Sequence, residues 1–131
     1  RDALALMSKY GVRARGPEAV VASLSGGNQQ KVVLARWLSA HRALLLLEEP
    51  TIGVDVGAKA EIYRLLRDSL AQGLAVMLIS SDFEEVAGIA SRALVFYRGS
   101  IVCELRGADL SMERLVHAAS GDRAAWETTH A

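Results

Sequence analysis

The stretch "LSGGNQQK" combines residue types that favour binding of an anion. Ser25 precedes a pair of glycines, Gly26 and Gly27, and the amides Asn28 and Gln29 follow them. We expect a helix to begin here with Ser25 at its N-cap, and the first turn of a helix carries unpaired N–H groups and a partial positive charge. Glycines also let a phosphate approach the backbone closely. The pattern indicates either a phosphate site or a serine-capped helix that follows a glycine-rich loop.

The stretch "LLLLEEP" places two carboxylates where the ligand sites of α/β proteins lie. The apolar run from Leu44 to Leu47 predicts a strand buried on both faces, as in a parallel sheet, and Glu48 and Glu49 follow it directly. Ligands bind at the carboxyl ends of such strands. One acid could hold Mg²⁺ through water, and the next could orient or deprotonate an attacking water. The alternative is a solvated pair of glutamates at a strand end.

The elements that position these residues alternate between helix and strand. A short helix is predicted over residues 2–9 and a longer one from about Gly26 to Ser39. After the first strand, Asp55 is expected to cap a helix that Gly73 ends, and "LAVMLIS" repeats the buried-strand pattern. The helix carries one apolar stripe, formed by Ile62, Leu65, Leu66 and Leu70. The order β-α-β predicts a right-handed parallel unit.

The last third of the chain predicts smaller elements. Ser81 to Glu84 has the spacing of a capping box, with Ser81 as the cap of a short helix that runs to about residue 89. The stretch "ALVFYRGSIVCEL" predicts a hairpin that turns at Arg98 and Gly99. Ser111 is expected to cap a final short helix. Beyond Gly121 the sequence is polar and mixed, and we expect it to be frayed.

Composition and charge exclude several classes of protein. The 131 residues suit one ordinary domain, and Lys plus Arg balance Asp plus Glu at 15 each, which argues against a nucleic-acid surface and against an acidic disordered tail. The single Cys103 cannot form an internal disulfide and fits a reducing compartment. No apolar run approaches the ~20 residues that span a bilayer, and we expect that the opening residues are not a signal peptide. The chain begins at Arg1 within a helical pattern, so we expect it to be a piece of a longer protein.

These motifs, in this order, resemble the C-terminal portion of an ABC-transporter ATPase domain. Residues 24–29 resemble the signature motif, 44–49 the Walker B strand, 51–55 the D-loop and 79–82 the switch region. More narrowly, "SLSGGNQQKVVLARWL" and "GVDVGAKAEIYRLLRDSLAQGLAVMLISSDFEEV" resemble the second ATPase half of the tandem subunits that power bacterial sugar importers. The resemblance covers roughly residues 20–120.

The resemblance implies an α/β fold. The chain would form part of a P-loop NTPase domain of the RecA-like type, in which parallel strands with flanking helices are followed by a C-terminal β-hairpin. Residues 1–40 would end the helical subdomain, 41–121 would form part of the RecA-like core, and 122–131 would be a tail.

The resemblance also implies how the glycine pair works. In the family, two ATPase domains pair head-to-tail and each nucleotide lies between them, so the cofactors ATP and Mg²⁺ belong to the complete pair. Ser25, Gly26 and Gly27 would face the γ-phosphate of ATP held by the partner domain. Asn28 and Gln29 would line the approach to that phosphate.

The chain's own half of a nucleotide site departs from the family pattern. No G-x-x-x-x-G-K-[S/T] loop occurs, so we expect no ATPase activity from the isolated chain. Glu48 replaces the usual aspartate, and its extra methylene should weaken direct Mg²⁺ binding. Glu49 matches the glutamate that activates water. The sequence therefore predicts a lopsided ATPase, with an intact signature half and an impaired Walker B half.

Two further positions bear on this interpretation. Ser81 occupies the switch position that normally carries histidine, and its role as a helix cap would explain it fully. In the D-loop, Gly53 and Asp55 match the family, whereas Ile52 stands where sugar-importer second halves often place arginine.

The resemblance implies a set of partners and a location. The partners would be a second ATPase domain, integral-membrane permease subunits and, indirectly, a solute-binding protein, with no nucleic acid. The location would be the cytoplasmic face of the bacterial inner membrane, as a peripheral subunit that couples ATP hydrolysis to uptake of a sugar or related solute. One alternative is a catalytically silent partner ATPase domain. Another is an ATPase of the SMC or DNA-repair type, which the absence of sustained heptads disfavours.

Overall fold

The computed structural model describes residues 2–40 and 42–121, which form five helices and four strands. They fall into two compact units, Arg1–Ile79 and Ser80–Ala131, each with its own secondary structure. In chain order the elements are α1 (Asp2–Lys9), α2 (Gly26–Leu38), β1 (Leu44–Glu48), α3 (Val56–Ala71), β2 (Ala75–Ile79), α4 (Phe83–Ile89), β3 (Arg92–Tyr97), β4 (Ser100–Arg106) and α5 (Met112–Ala119). Single 3₁₀ turns occur at Val21–Ser23 and Gly107–Asp109.

The first unit contains the predicted β-α-β arrangement. Strands β1 and β2 pair in parallel, with a register that runs from Leu44 opposite Ala75 to Glu48 opposite Ile79. Helix α3 connects them, as parallel strands require a crossover connection. The parallel pairing of the two apolar runs is therefore confirmed.

Helix α3 buries most of its predicted stripe, whereas α2 buries Leu34 but leaves the predicted stripe residues Val33 and Trp37 exposed. Leu34 on α2 is 1% exposed, and Ile62 and Leu66 on α3 are fully buried. Tyr10, which follows α1, joins this layer by packing with Ala35 and Leu65. Burial of side chains at helical spacing is what holds these helices, because isolated helices of this length are marginal in water.

The prediction that β1 is buried on both faces is wrong for this chain. Leu45 and Leu47 are buried, whereas Leu44 and Leu46 are each 60% exposed. Successive side chains of a strand point to opposite faces of the sheet, so one face is covered and the other is open among the residues that the structure describes. A continuous apolar run does not reveal which of its faces is covered.

The second unit is built on the predicted hairpin. Strands β3 and β4 pair antiparallel, and the turn residues Arg98 and Gly99 have φ of 48° and 80°. Positive φ at both central positions is the type I′ pattern, which matches the twist of the flanking strands. Helix α5 covers the hairpin, and the core residues of this unit are Ala93, Val95, Leu105, Leu115 and Ala118.

The helix caps confirm two predictions and correct a third. Asp55 accepts a hydrogen bond from the Ala58 N–H at 3.0 Å, and Ser111 accepts one from the Arg114 N–H at 3.3 Å. Ser81 does not cap α4, which begins one residue later than the capping-box spacing predicts. Asp82 is the cap, and its Oδ1 accepts from the N–H groups of residues 84 and 85 at 3.1 and 3.2 Å. A carboxylate competes better than a hydroxyl for these N–H groups because it also complements the helix dipole.

The proposed tail, residues 122–131, lies outside the described residues. The division of the chain at residue 40 into a helical subdomain and an ATPase core stays a prediction. Among the residues that the structure describes, no helix has the length and apolar character needed to cross a membrane.

Candidate phosphate-binding site

Helix α2 begins at an exposed N-cap. Ser25 stands at the N-cap, with φ of −61° and ψ of 154°, and both Ser25 and Gly26 are exposed. The N-cap position is as predicted, but the Ser25 side chain accepts no N–H group of the helix. Its Oγ instead accepts a hydrogen bond from Asn28 Nδ2 at 2.9 Å. The Ser25 side chain therefore does not cap the helix, and it leaves the backbone N–H groups at the start of α2 to another acceptor.

The two glycines have different surroundings. A Cβ added to Gly26 would meet only the Gly53 carbonyl oxygen, at 3.7 Å, which is an ordinary contact. Gly27 is buried, and a Cβ there would lie 2.4 Å from the Cβ of Ala58. Gly27 is thus required by the close packing of α2 against the first turn of α3, while Gly26 leaves the backbone open. Nothing in the local sequence distinguished these roles.

The amides of Asn28 and Gln29 point back towards the preceding chain. Asn28 Oδ1 accepts from the backbone N–H of Arg13 at 2.8 Å, and Gln29 Nε2 donates to the Leu24 carbonyl at 2.8 Å. These bonds fix the loop that leads into α2. The prediction that both residues line the approach to a phosphate stays a prediction, since their polar atoms have these partners within the chain.

An ion pair between the buried Lys31 and the partly exposed Glu61 supports the same loop, and sequence reasoning missed it. Lys31 is 3% exposed, and its Nζ donates to Glu61 Oε2 at 2.6 Å and to the Gly11 carbonyl at 2.7 Å. The hydrogen bond from Lys31 and its charge hold the pKa of Glu61 below the usual glutamate value. Arg13 adds a longer contact to Glu61, at 3.5 Å. The only sequence signal was a lysine on a helix face that is otherwise partly apolar.

The predicted D-loop lies against the first turn of α2. Gly53 has φ of +69°, which favours glycine, and its carbonyl is the near neighbour of Gly26. The Asp55 carboxylate that caps α3 lies 3.7 Å from the position of a Gly27 Cβ. The structure therefore brings the predicted signature and D-loop residues of this chain together. Two apolar side chains of this region are exposed, Ile52 at 79% and Val56 at 84%.

The two predicted acids lie at the carboxyl end of β1. Glu48 is the last residue of the strand and is exposed, and Glu49 is partly buried. The Glu49 N–H donates to the Ile79 carbonyl at 2.8 Å, and its φ is +44°. The left-handed region costs a residue with a Cβ ~1–2 kcal/mol. Such strained positions concentrate at functional sites, where the surrounding structure maintains them.

The carboxylates at the end of β1 are too few to hold a magnesium ion without other ligands. Mg²⁺ is commonly held by one or two carboxylates, with substrate phosphates and water completing its shell. Glu48 is the acid predicted to hold the metal, and no cluster of three or more His, Cys, Asp or Glu side chains suited to a metal occurs within residues 2–40 and 42–121. The metal role of Glu48 therefore stays a prediction.

Ser81 belongs to the second unit, whereas the other predicted site residues belong to the first. It is exposed and directly precedes Asp82, the cap of α4. Its assignment to the switch position stays a prediction.

Comparison with known proteins supplies the family. Residues 1–52 match the family model described as ABC transporter. The chain is 47% identical over 121 residues to a ribose import ATP-binding protein of Burkholderia ambifaria, and these residues are 92% of this chain and 24% of that protein. It is 52% identical over 107 residues to a ribose import ATP-binding protein of Cereibacter sphaeroides, covering 82% of this chain and 21% of that one. The chain thus spans about a quarter or less of the length of these curated relatives.

Solved structures agree on the fold. A dimeric bacterial ABC transporter cassette superposes with a TM-score of 0.67 at 24% identity, over 79% of this chain and 45% of that one. A nucleotide-free cassette from an ABC transporter superposes with a TM-score of 0.70 at 21% identity, over 96% of this chain and 46% of that one. Together with the sequence relatives, this establishes that the chain belongs to the ABC transporter ATP-binding family and has the α/β fold of its P-loop NTPase cassettes.

Proposed function

We propose that this chain forms the C-terminal part of the second ATPase domain in the ATP-hydrolysing subunit of an importer. Its first α2 turn would complete the ATP site of a partner ATPase domain. The observation that carries this proposal is the exposed, uncapped start of α2, where Ser25 and Gly26 present a hydroxyl and an open backbone.

The chemistry follows from the start of a helix. The Ser25 hydroxyl and the N–H groups of the first turn would donate hydrogen bonds to oxygens of the γ-phosphate. Negative charge is favoured there by the helix dipole, and donors held in place before the reaction stabilise charge in the transition state without having to reorganise. Gly26 would keep a side chain out of the space that the phosphate occupies.

The chain's own acids would act at a second nucleotide. Glu49 would orient or deprotonate the attacking water, and Glu48 would hold Mg²⁺ through water. When bound, the metal would neutralise charge on the phosphate oxygens. The positive φ of Glu49 supports a functional role, because strained backbone positions concentrate at functional sites.

A second ATPase domain is the proposed partner of the D-loop surface. Ile52 and Val56 are large apolar side chains that are almost fully exposed beside the first turn of α2. Apolar residues of this kind favour contact with another protein. The dimeric cassette named above supports this pairing.

The transported solute is proposed from the relatives alone. Both relatives are named for ribose import, so we propose a sugar or related solute. Permease subunits, an indirect solute-binding protein and a peripheral position at the cytoplasmic face of the bacterial inner membrane follow from the same proposal. The same relatives disfavour the SMC or DNA-repair alternative.

A catalytically silent partner domain is the second candidate. It is favoured by Glu48 in place of aspartate and by Ser81 in place of histidine, since both changes affect only the chain's own half-site. In that case the chain would act through its signature residues and Glu49 would be idle. Glu49→Gln in the complete subunit separates the two: a fall in turnover of ~10²-fold identifies a general base, and turnover near half or more identifies a silent site.

The signature role is tested by an added charge. Gly26→Asp in the complete subunit, assayed for ATP turnover with its membrane partner, should abolish activity because a carboxylate would repel the γ-phosphate. Gly16→Asp is the matched control, since its added side chain also meets open space. Gly27→Asp is unsuitable, because its clash with Ala58 would disturb the fold whether or not a phosphate binds. Robust turnover by Gly26→Asp would contradict the proposal.

A further inference from the structure

The amide of Asn28 has a defined orientation because a backbone group fixes it. A backbone N–H can only donate, so the atom of Asn28 that faces Arg13 N at 2.8 Å must be the carbonyl oxygen Oδ1. The amide nitrogen Nδ2 then faces Ser25 Oγ at 2.9 Å, and it can only donate. Asn28 therefore determines the direction of the hydrogen bond to Ser25.

This orientation limits where the Ser25 proton can point. A hydroxyl has one donor and two acceptor lone pairs, and here one lone pair receives the Asn28 hydrogen bond. The Ser25 O–H cannot donate to Nδ2, which has no acceptor. Ser25 is exposed and does not cap α2, so its proton points away from the Asn28 amide.

The three groups form a chain of hydrogen bonds that runs in one direction. The Arg13 N–H donates to Asn28, Asn28 donates to Ser25, and the Ser25 O–H remains as the terminal donor. Bonds aligned in this way polarise one another and strengthen by roughly 10–30% per bond. The segment that contains Arg13, the first donor of this hydrogen-bond series, is anchored by Lys31, whose Nζ donates to the carbonyl of Gly11.

We propose that Asn28 is a positioning residue that makes Ser25 an outward-pointing hydrogen-bond donor for the γ-phosphate. The proposal rests on the proposed function, because Ser25 must contact the phosphate for its orientation to matter. It differs from a direct role for Asn28 in lining the nucleotide: both polar atoms of the amide already have partners in this chain.

A double-mutant cycle tests the proposal through ATP turnover of the complete subunit, reconstituted with its membrane partner. Ser25→Ala removes the terminal donor and should lower kcat about 10²-fold, as loss of one preorganised donor does. Asn28→Ala should lower kcat about five- to tenfold, because the hydroxyl remains but is no longer aligned. If Asn28 acts only through Ser25, the double variant should match Ser25→Ala within about twofold, because the two residues then share one interaction.

Two controls separate positioning from a structural effect. Gln30→Ala removes an amide from the same helical turn and should leave turnover unchanged. Asn28→Asp keeps an acceptor for Arg13 but cannot donate to Ser25, so it breaks the chain without removing the bond that anchors the loop. In the Ser25→Ala background, the loss of turnover caused by Asn28→Asp measures the added charge alone. A larger loss from Asn28→Asp when Ser25 is present supports the proposal.

The outcomes distinguish this inference from the function on which it rests. If Ser25→Ala leaves turnover unchanged, the proposed phosphate contact is wrong. If Ser25→Ala impairs turnover but the losses multiply in both cycles, Asn28 acts independently of Ser25 and the positioning role is wrong. If Asn28→Ala alone leaves kcat unchanged, the positioning role is also wrong. A loss in Asn28→Ala, with equal losses in the double variant and Ser25→Ala and the same division between kcat and KM, supports it.

Discussion

The contact between Gly27 and Ala58 makes a prediction about stability that is independent of ATP. Gly27→Ala would place two methyl carbons 2.4 Å apart, whereas carbon atoms in contact are ~3.5–4.0 Å apart. Both atoms are bonded directly to backbone, so no side-chain rotation relieves the clash. Helices α2 and α3 would have to separate by about an ångström at this point.

The expected magnitude is the difference between two effects. Overpacking of a core contact costs ~1–3 kcal/mol. Replacing glycine by alanine in a helix contributes ~0.8–1.0 kcal/mol in the opposite direction, and less in the first turn. The free energy of unfolding should therefore fall by ~1–2 kcal/mol, the overpacking term being the larger. Gly26→Ala has the same helix term without the clash, and its stability should be unchanged or slightly higher.

Equilibrium urea unfolding of the purified chain measures this difference. The double variant Gly27→Ala/Ala58→Gly removes the second methyl and should recover most of the loss, with a coupling energy of ~1 kcal/mol or more. If Gly27→Ala is as stable as Gly26→Ala, or if Ala58→Gly gives no recovery, the packing account of Gly27 is wrong.

Three further predictions concern charge, strain and capping. Because the pKa of Glu61 is lowered in the folded chain, its pairing with Lys31 stabilises the fold above the glutamate pKa of ~4.3, and this stabilisation is lost as the pH falls. The difference in free energy of unfolding between wild type and Glu61→Gln, measured by urea unfolding, should therefore shrink between pH ~7 and ~3.5. A difference that stays constant over this range would contradict the prediction. Because Glu49 has φ of +44°, which glycine adopts without the cost that a Cβ brings, the Glu49→Gly variant should be more stable than Glu49→Ala by ~1 kcal/mol. Equal unfolding midpoints for the two variants would argue against strain at this position. Asp82→Ala should destabilise the chain by ~1 kcal/mol in thermal unfolding, whereas Ser81→Ala should have a smaller effect; the opposite order would restore Ser81 as the cap.

Much of the secondary structure could be predicted because its signals are local. Asp55 and Ser111 cap helices through bonds that reach only three residues along the chain. The hairpin turn at Arg98 and Gly99 is likewise specified by a short stretch that tolerates positive φ. The error at Ser81 has the same local scale, because two adjacent residues could each cap α4 and the carboxylate of Asp82 is the stronger acceptor.

Burial was harder to predict than element type. The run Leu44 to Leu47 correctly indicated a parallel strand, but its alternating exposure depends on which face meets other elements. Hydropathy carries no information on that choice when every residue in the run is leucine. The candidate acids were predicted from their position directly after the apolar run, whereas the positive φ of Glu49 appears only in the backbone of the folded chain.

Composition, motif order and periodicity were sufficient to specify the α/β class and the parallel strand pair. These signals lie within a few neighbouring residues, where hydrogen bonding and side-chain spacing are decided. Tertiary structure alone separated the packed Gly27 from the open Gly26, directed the Asn28 amide at Ser25, and paired Lys31 with Glu61. Each of these depends on a partner from elsewhere in the chain, such as Arg13 for Asn28 at a separation of 15 residues and Glu61 for Lys31 at 30. Which distant atoms come into contact is settled by how α2, α3 and the loop before α2 pack together, and no local pattern encodes that.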